Sequence, residues 1–93
     1  MQFEWDDIKE QQNIHKHGID FSTAALVFTD TNRIEYFDDN TSINEDRYIT
    51  IGLIDDVLTV VYTMRRDVYR IISARFATKA ETEAYYGYKK GKY

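Results

Sequence analysis

The 93-residue chain contains no cysteine and no proline. Without thiols there can be no disulfide scaffold, no thiolate metal site and no cysteine nucleophile. The missing proline carries no functional implication. No apolar run reaches the ~20 residues that a membrane helix requires. The N-terminal MQFEWDD is acidic rather than signal-like, so the chain is read as soluble and cytoplasmic, with no membrane partner. Glycine-rich phosphate loops, HExxH and nucleophile elbows are all missing. The two histidines, His15 and His17, stand two apart and point to different faces of a helix, which argues against a two-histidine metal site. The acidic stretch containing Asp38, Asp39, Glu45 and Asp46 does not match an EF-hand loop. Neither metal nor cofactor is expected.

What is present points to a folded chain. Hydrophobic residues make up 43% and aromatics 15%, too many for a disordered segment. The length fits one domain, 1–93, with one modest core. The net charge of −4 is unevenly distributed. Residues 1–46 carry three basic against eleven acidic side chains, a balance of −8, whereas residues 47–93 carry nine against five, a balance of +4. This asymmetry suggests a polyanion-facing surface on one side and an acidic face on the other.

Taken in order, Gln2 to Trp5 alternates like a brief strand. Asp6 or Asp7 caps a helix that runs to His17, where Gly18 supplies a left-handed stop. Its apolar content is essentially Ile8 and Ile14, and Asp6, Lys9, Asn13 and Lys16 form a polar stripe that reads as a solvent face. A shorter helix follows, capped by Asp20 or Ser22, with Phe21, Ala24, Ala25 and Phe28 as its buried stripe. Arg33–Phe37 reads as a strand and Asp38–Asp46 as a loop. Arg47–Ile54, Val57–Arg65 and Tyr69–Phe76 form an antiparallel meander, turning at Asp55-Asp56 and near Arg66-Asp67. Thr78 to Glu81 is a capping box for a last helix carrying Tyr85 and Tyr88, which decays into the basic tail YKKGKY. The order β-α-α-β-β-β-β-α gives an α+β fold: a mainly antiparallel sheet, two N-terminal helices and one C-terminal helix.

The chemistry concentrates in VVYTMRRDVYRIISARFA, residues 60–77. A two-residue turn there sets Thr63 and Arg65 beside Arg70; a three-residue turn sets them beside Ser73 and Arg75. Either register brings an arginine and a hydroxyl together on a sheet surface, suited to holding phosphate oxygens. The structural reading of the same residues is an arginine paired with Glu45 or Glu81, and His17 as a cation at a helix C-terminus.

The pattern as a whole resembles the BrnT family. The resemblance rests on FEWDDIKEQQNIHKHGIDFSTAALVF, EDRYITIG and VVYTMRRDVYRIISARFA, followed by Glu81 and Tyr85. It covers residues 3–85 and departs only at Asp55-Asp56, where Asp-Gly is usual, and in the tyrosine-rich basic end. The resemblance implies a RelE-like ribonuclease toxin of a type II toxin–antitoxin module, cleaving RNA and blocking translation. It also implies neutralisation by a ribbon-helix-helix antitoxin in a heterotetramer or larger complex, with operator DNA bound only through the antitoxin. The marked positions are Lys16, His17, Glu45, Arg47, Thr63, Arg65, Ser73 and Arg75. Metal-free RNA cleavage needs a base, cations for the charged phosphorane and a proton for the leaving oxygen. These demands assign His17 as acid or base, Arg65 and Arg75 as charge stabilisers, and Glu45 as orienter or base. Lys16, Arg47, Thr63, Arg70 and Ser73 are left as substrate contacts. The alternative is a non-catalytic partner that binds the antitoxin and modulates autorepression of the operon.

Overall fold

A computed structural model describes residues 1–40 and 43–90, without the side chains of 88–90. The side chain of Tyr88 and the last three residues of the basic tail therefore lie outside the described residues, as do positions 41 and 42 of the polar loop. The elements run β1 (Gln2–Glu4), α1 (Asp7–His17), α2 (Phe21–Ala25), a 3₁₀ turn (Leu26–Thr29), β2 (Ile34–Phe37), β3 (Tyr48–Ile54), β4 (Asp56–Arg65), β5 (Val68–Phe76) and α3 (Lys79–Lys90). They build one α+β arrangement around a five-stranded sheet ordered β1-β5-β4-β3-β2. No helix among the described residues is long and apolar enough to cross a membrane.

The sheet is mixed, which corrects the mainly antiparallel expectation. β2, β3, β4 and β5 are antiparallel neighbours, but β1 lies parallel to β5, with Glu4 opposite Arg70. Three residues of β1 are too few for alternation to reveal a partner or a direction.

Local chemistry explains the helix ends. The Asp6 carboxylate accepts from the amides of Ile8 and Lys9 at 2.8 and 3.1 Å. These bonds hold its carboxyl below the usual range. Gly18 closes α1 at φ 75°, a left-handed value that a side chain would disfavour. Asp20 caps α2 through the Thr23 amide at 2.7 Å.

The two faces of the sheet differ. One carries Leu58, Val60, Tyr62, Ile71 and Ala74 against Phe21, Ala24, Val27 and Phe28 of the N-terminal helices, and this is the core. Gly52 lies on that face because a Cβ there would meet Val27 Cγ1 at 2.7 Å. The opposite face carries Ile51, Thr59, Val61, Thr63 and Arg65 with their cross-strand partners. α3 covers only one end of it, through Glu81 and Tyr85. The Tyr85 hydroxyl donates to Asp30 at 2.5 Å, and burial with that carboxylate pushes the phenol up to about 12.

The polar stripe on α1 faces solvent at Lys9 and Lys16 but turns inward at Asn13. Ile8 and Ile14 are 70% and 36% exposed, whereas Asn13 is 6% exposed. The Asn13 amide nitrogen donates to Ala74 O at 2.8 Å and Ile19 O at 2.9 Å, and its oxygen accepts from the Ala74 amide at 3.1 Å. One side chain thus completes the edge of β5 beyond the end of β1, as a further strand would. Replacing Asn13 by Ala leaves the Ala74 and Ile19 groups buried and unpaired. We expect a loss of about 2–4 kcal/mol in urea unfolding, and a variant within 0.5 kcal/mol of the parent would show that the edge does not depend on this clamp.

Candidate functional site

The β4–β5 hairpin positions most of the candidate residues. Its turn is the two-residue form, Arg66 and Asp67, with Arg65 opposite Val68, Met64 opposite Tyr69 and Thr63 opposite Arg70. Farther along, Val61 stands opposite Ser73 and Thr59 opposite Arg75. The register shifts between Val61 and Tyr62, leaving Ile72 as one extra residue on β5. A bulge of this kind resets parity. Arg70, Ser73 and Arg75 therefore all emerge on the face that carries Thr63 and Arg65. The question of which arginine shares the face is answered by both, at different places along it.

At the open end of this face, Glu45 lies 3.5 Å from both Arg47 and Arg65. The Thr63 hydroxyl donates to the Asp46 carbonyl at 2.6 Å, holding that loop against the strand. Arg70 is 3.1 Å from Glu4, its neighbour on parallel β1. Arg65 is 53% exposed, so its ion pair is worth only ~0–1 kcal/mol and opens cheaply.

Lys16 and His17 approach from the sheet edge. The Asn13 clamp holds α1 against β5, and Lys9, Gln12, Lys16 and His17 line a groove of about 180 Å³ together with Ile72 and Ser73. The bulge residue and the first helix thus meet beside Ser73. His15 faces outward and is exposed, as its two-residue offset from His17 implies.

Arg75 is placed differently. Both its terminal nitrogens bond Glu81, at 2.7 and 2.9 Å. Glu81 also accepts from Thr59 Oγ1 at 3.0 Å and from the Thr78 amide at 2.9 Å, the latter being half of the expected capping box. The other half, Glu81 amide to Thr78 Oγ1, measures 3.1 Å. Thr59 lies six positions before Arg65 on β4, so Arg75 and Arg65 are about 20 Å apart along the strand. The structure does not bring these two arginines together, and Arg75 belongs to the anchor of α3.

Sequence reasoning missed three residues here. Glu4 was hidden by the unread parallel pairing, and Gln12 by the solvent-face reading of α1. Asn13 carried a signal, being the one uncharged member of the polar stripe. Among the described residues no group of three His, Asp or Glu side chains is arranged to hold a metal ion.

With this geometry in place, comparison with known proteins is informative. The family described as ribonuclease toxin, BrnT, of type II toxin-antitoxin system matches residues 5–81. No curated protein matches the chain. The matched span takes in both ends of the open face, from Lys16 and His17 through the hairpin to Glu81.

The α3 anchor has a pH signature. The Arg75 guanidinium, with further bonds from Thr78 and Thr59, outweighs burial and holds the Glu81 carboxyl down at about 2. A depressed carboxyl contributes stability above its unfolded value of 4.5 that is lost as pH falls towards about 2. The full shift corresponds to about 3 kcal/mol as an upper bound, and Glu81 is only 17% exposed. In Glu81→Gln we expect the acid limb of thermal stability between pH 4.5 and 2 to flatten. An unchanged acid limb would show that the pair contributes nothing.

Proposed function

The chain belongs to the BrnT family of ribonuclease toxins of type II toxin–antitoxin systems, and on that premise we propose a cytoplasmic, metal-independent endoribonuclease that arrests translation. A ribbon-helix-helix antitoxin neutralises it, in a heterotetramer or larger complex that reaches operator DNA only through the antitoxin. The RelE-like label for the domain belongs to the same proposal, supported by the four-stranded antiparallel run and the paired N-terminal helices.

The observation that carries the reading is one open sheet face on which Thr63, Arg65, Arg70 and Ser73 are aligned by a bulge, bordered by Glu45 and Arg47 on one side and by Lys16 and His17 on the other. The RNA backbone crosses this face. His17 takes the proton from a 2′-hydroxyl as that oxygen attacks phosphorus. The bond to the 5′-oxygen breaks, and the leaving oxygen takes a proton from water. Arg65 and Arg47, oriented by Glu45 between them, offset the charge that accumulates on the phosphorane. Lys16 and Arg70 hold flanking phosphates and Ser73 offers a hydroxyl contact, while Thr63, buried with its hydroxyl on the Asp46 carbonyl, braces the loop that carries Glu45. Arg75, given a charge-stabilising role from the sequence, is here a structural residue. Freeing it would leave the Glu81 carboxylate without its strongest partner, at a cost of up to about 3 kcal/mol.

A second reading also has an observation behind it. Arg47 and Arg65 pair with Glu45, Arg70 with Glu4 and Arg75 with Glu81, an arrangement that a purely structural, antitoxin-binding chain would also use.

Both readings meet one test. Purified protein should cleave RNA in the presence of a chelator, and induction of the gene alone should arrest growth until the antitoxin is supplied. In His17→Ala and Arg65→Ala, with unchanged circular dichroism, we expect cleavage to fall about 10²-fold or more. Variants as nucleolytic as the parent would refute the assignment, and a parent without nuclease activity would favour the binding partner.

A further inference from the structure

The hairpin tip carries an unusual pair of residues. Arg66 has φ 53° and Asp67 φ 70°, so both central residues of the two-residue turn sit in the left-handed region, the pattern of a type I′ turn. That conformation favours Asn-Gly, and long side chains adopt it against a steric penalty between Cβ and the backbone. Arg66 is exposed and forms no hydrogen bond or ion pair among the described residues. It follows Arg65 directly, at the tip of the hairpin and at the end of the face where Arg65 and Arg47 meet Glu45. Neither packing nor pairing accounts for an arginine here, and the turn conformation disfavours it. Residues kept in such a conformation against local preference cluster at functional sites.

We propose that Arg66 is an additional RNA-backbone contact, extending the phosphate-binding face beyond Arg65 around the hairpin tip. The inference rests on the ribonuclease reading. Because Arg66 lies past the reacting centre, it contributes to binding and not to the chemical step. Removing it should raise KM and leave kcat unchanged.

Strain and charge can be separated at the two positions of the turn. Arg66→Asn relieves the left-handed penalty and removes the cation, whereas Asp67→Gly relieves the penalty and keeps it. Both variants should melt about 2–6 °C above the parent. Only Arg66→Asn should weaken binding of a short single-stranded RNA made uncleavable by 2′-O-methylation, by about two- to fivefold. Its dependence of log K on log salt should be shallower by about 0.7, the value for one lost phosphate contact on a single strand. Arg66→Lys should retain most of the affinity. If Arg66→Asn is more stable and binds and cleaves RNA as the parent does, Arg66 is a solvated turn residue and the proposal is overturned. If the parent itself neither binds nor cleaves RNA, the ribonuclease reading fails first, and this inference with it.

Discussion

The Asn13 side chain, bonded through both its amide nitrogen and its oxygen to Ala74, is the contact on which the arrangement of this protein depends. β1 is only three residues long and pairs with β5 only from Val68 to Arg70, so the β5 backbone beyond it would otherwise present unpaired groups. Asn13 satisfies the Ala74 carbonyl and amide and, through the Ile19 carbonyl, also fixes the chain leaving α1. A single buried amide thus joins the first helix, the connection to the second and the strand that carries the candidate site. It fixes where Lys16 and His17 lie, three and four residues further along α1, relative to Ser73.

The sheet face opposite the core carries two electrostatic regimes. At one end Arg75 and Glu81 form a bidentate pair reinforced by Thr59 and Thr78, with a strongly depressed carboxyl, and hold α3 in place. At the other, Glu45 touches Arg47 and Arg65 at 3.5 Å in a solvent-accessible setting. The first pair is expensive to open and suits architecture. The second is cheap to open and suits an exchange with phosphate oxygens. The arginines at the two ends therefore differ in how firmly they are held: Arg75 by two bonds to one carboxylate, Arg47 and Arg65 by a single shared carboxylate at 3.5 Å.

Much of this was legible in the residues themselves. The caps at Asp6 and Asp20, the left-handed Gly18, the Phe21–Ala24–Phe28 stripe, the meander and the Thr78–Glu81 box follow from local chemistry that acts within a few residues. The parallel pairing of β1 was not legible, since it joins residues 66 positions apart on three residues of pattern. Nor was the inward face of α1: hydrophobicity points to Ile8 and Ile14, while the buried contact is an amide recognising a strand edge. The bulge at Ile72 was invisible for a similar reason, because the alternation on β5 reads equally well in either parity. That is why the sequence left Arg70 and Arg75 as competitors, when one extra residue gives both the same face.

The central claim is that nucleic acid lands on the open end of this face and not on the α3 end. Amide chemical-shift mapping with a 2′-O-methylated RNA oligonucleotide tests it most directly. The account predicts perturbations at Lys16, His17, Thr63, Arg65 and Ser73, with Arg75 and Glu81 unmoved. Perturbations centred on Arg75 and Glu81, or none at any of these residues at saturating RNA, would contradict it.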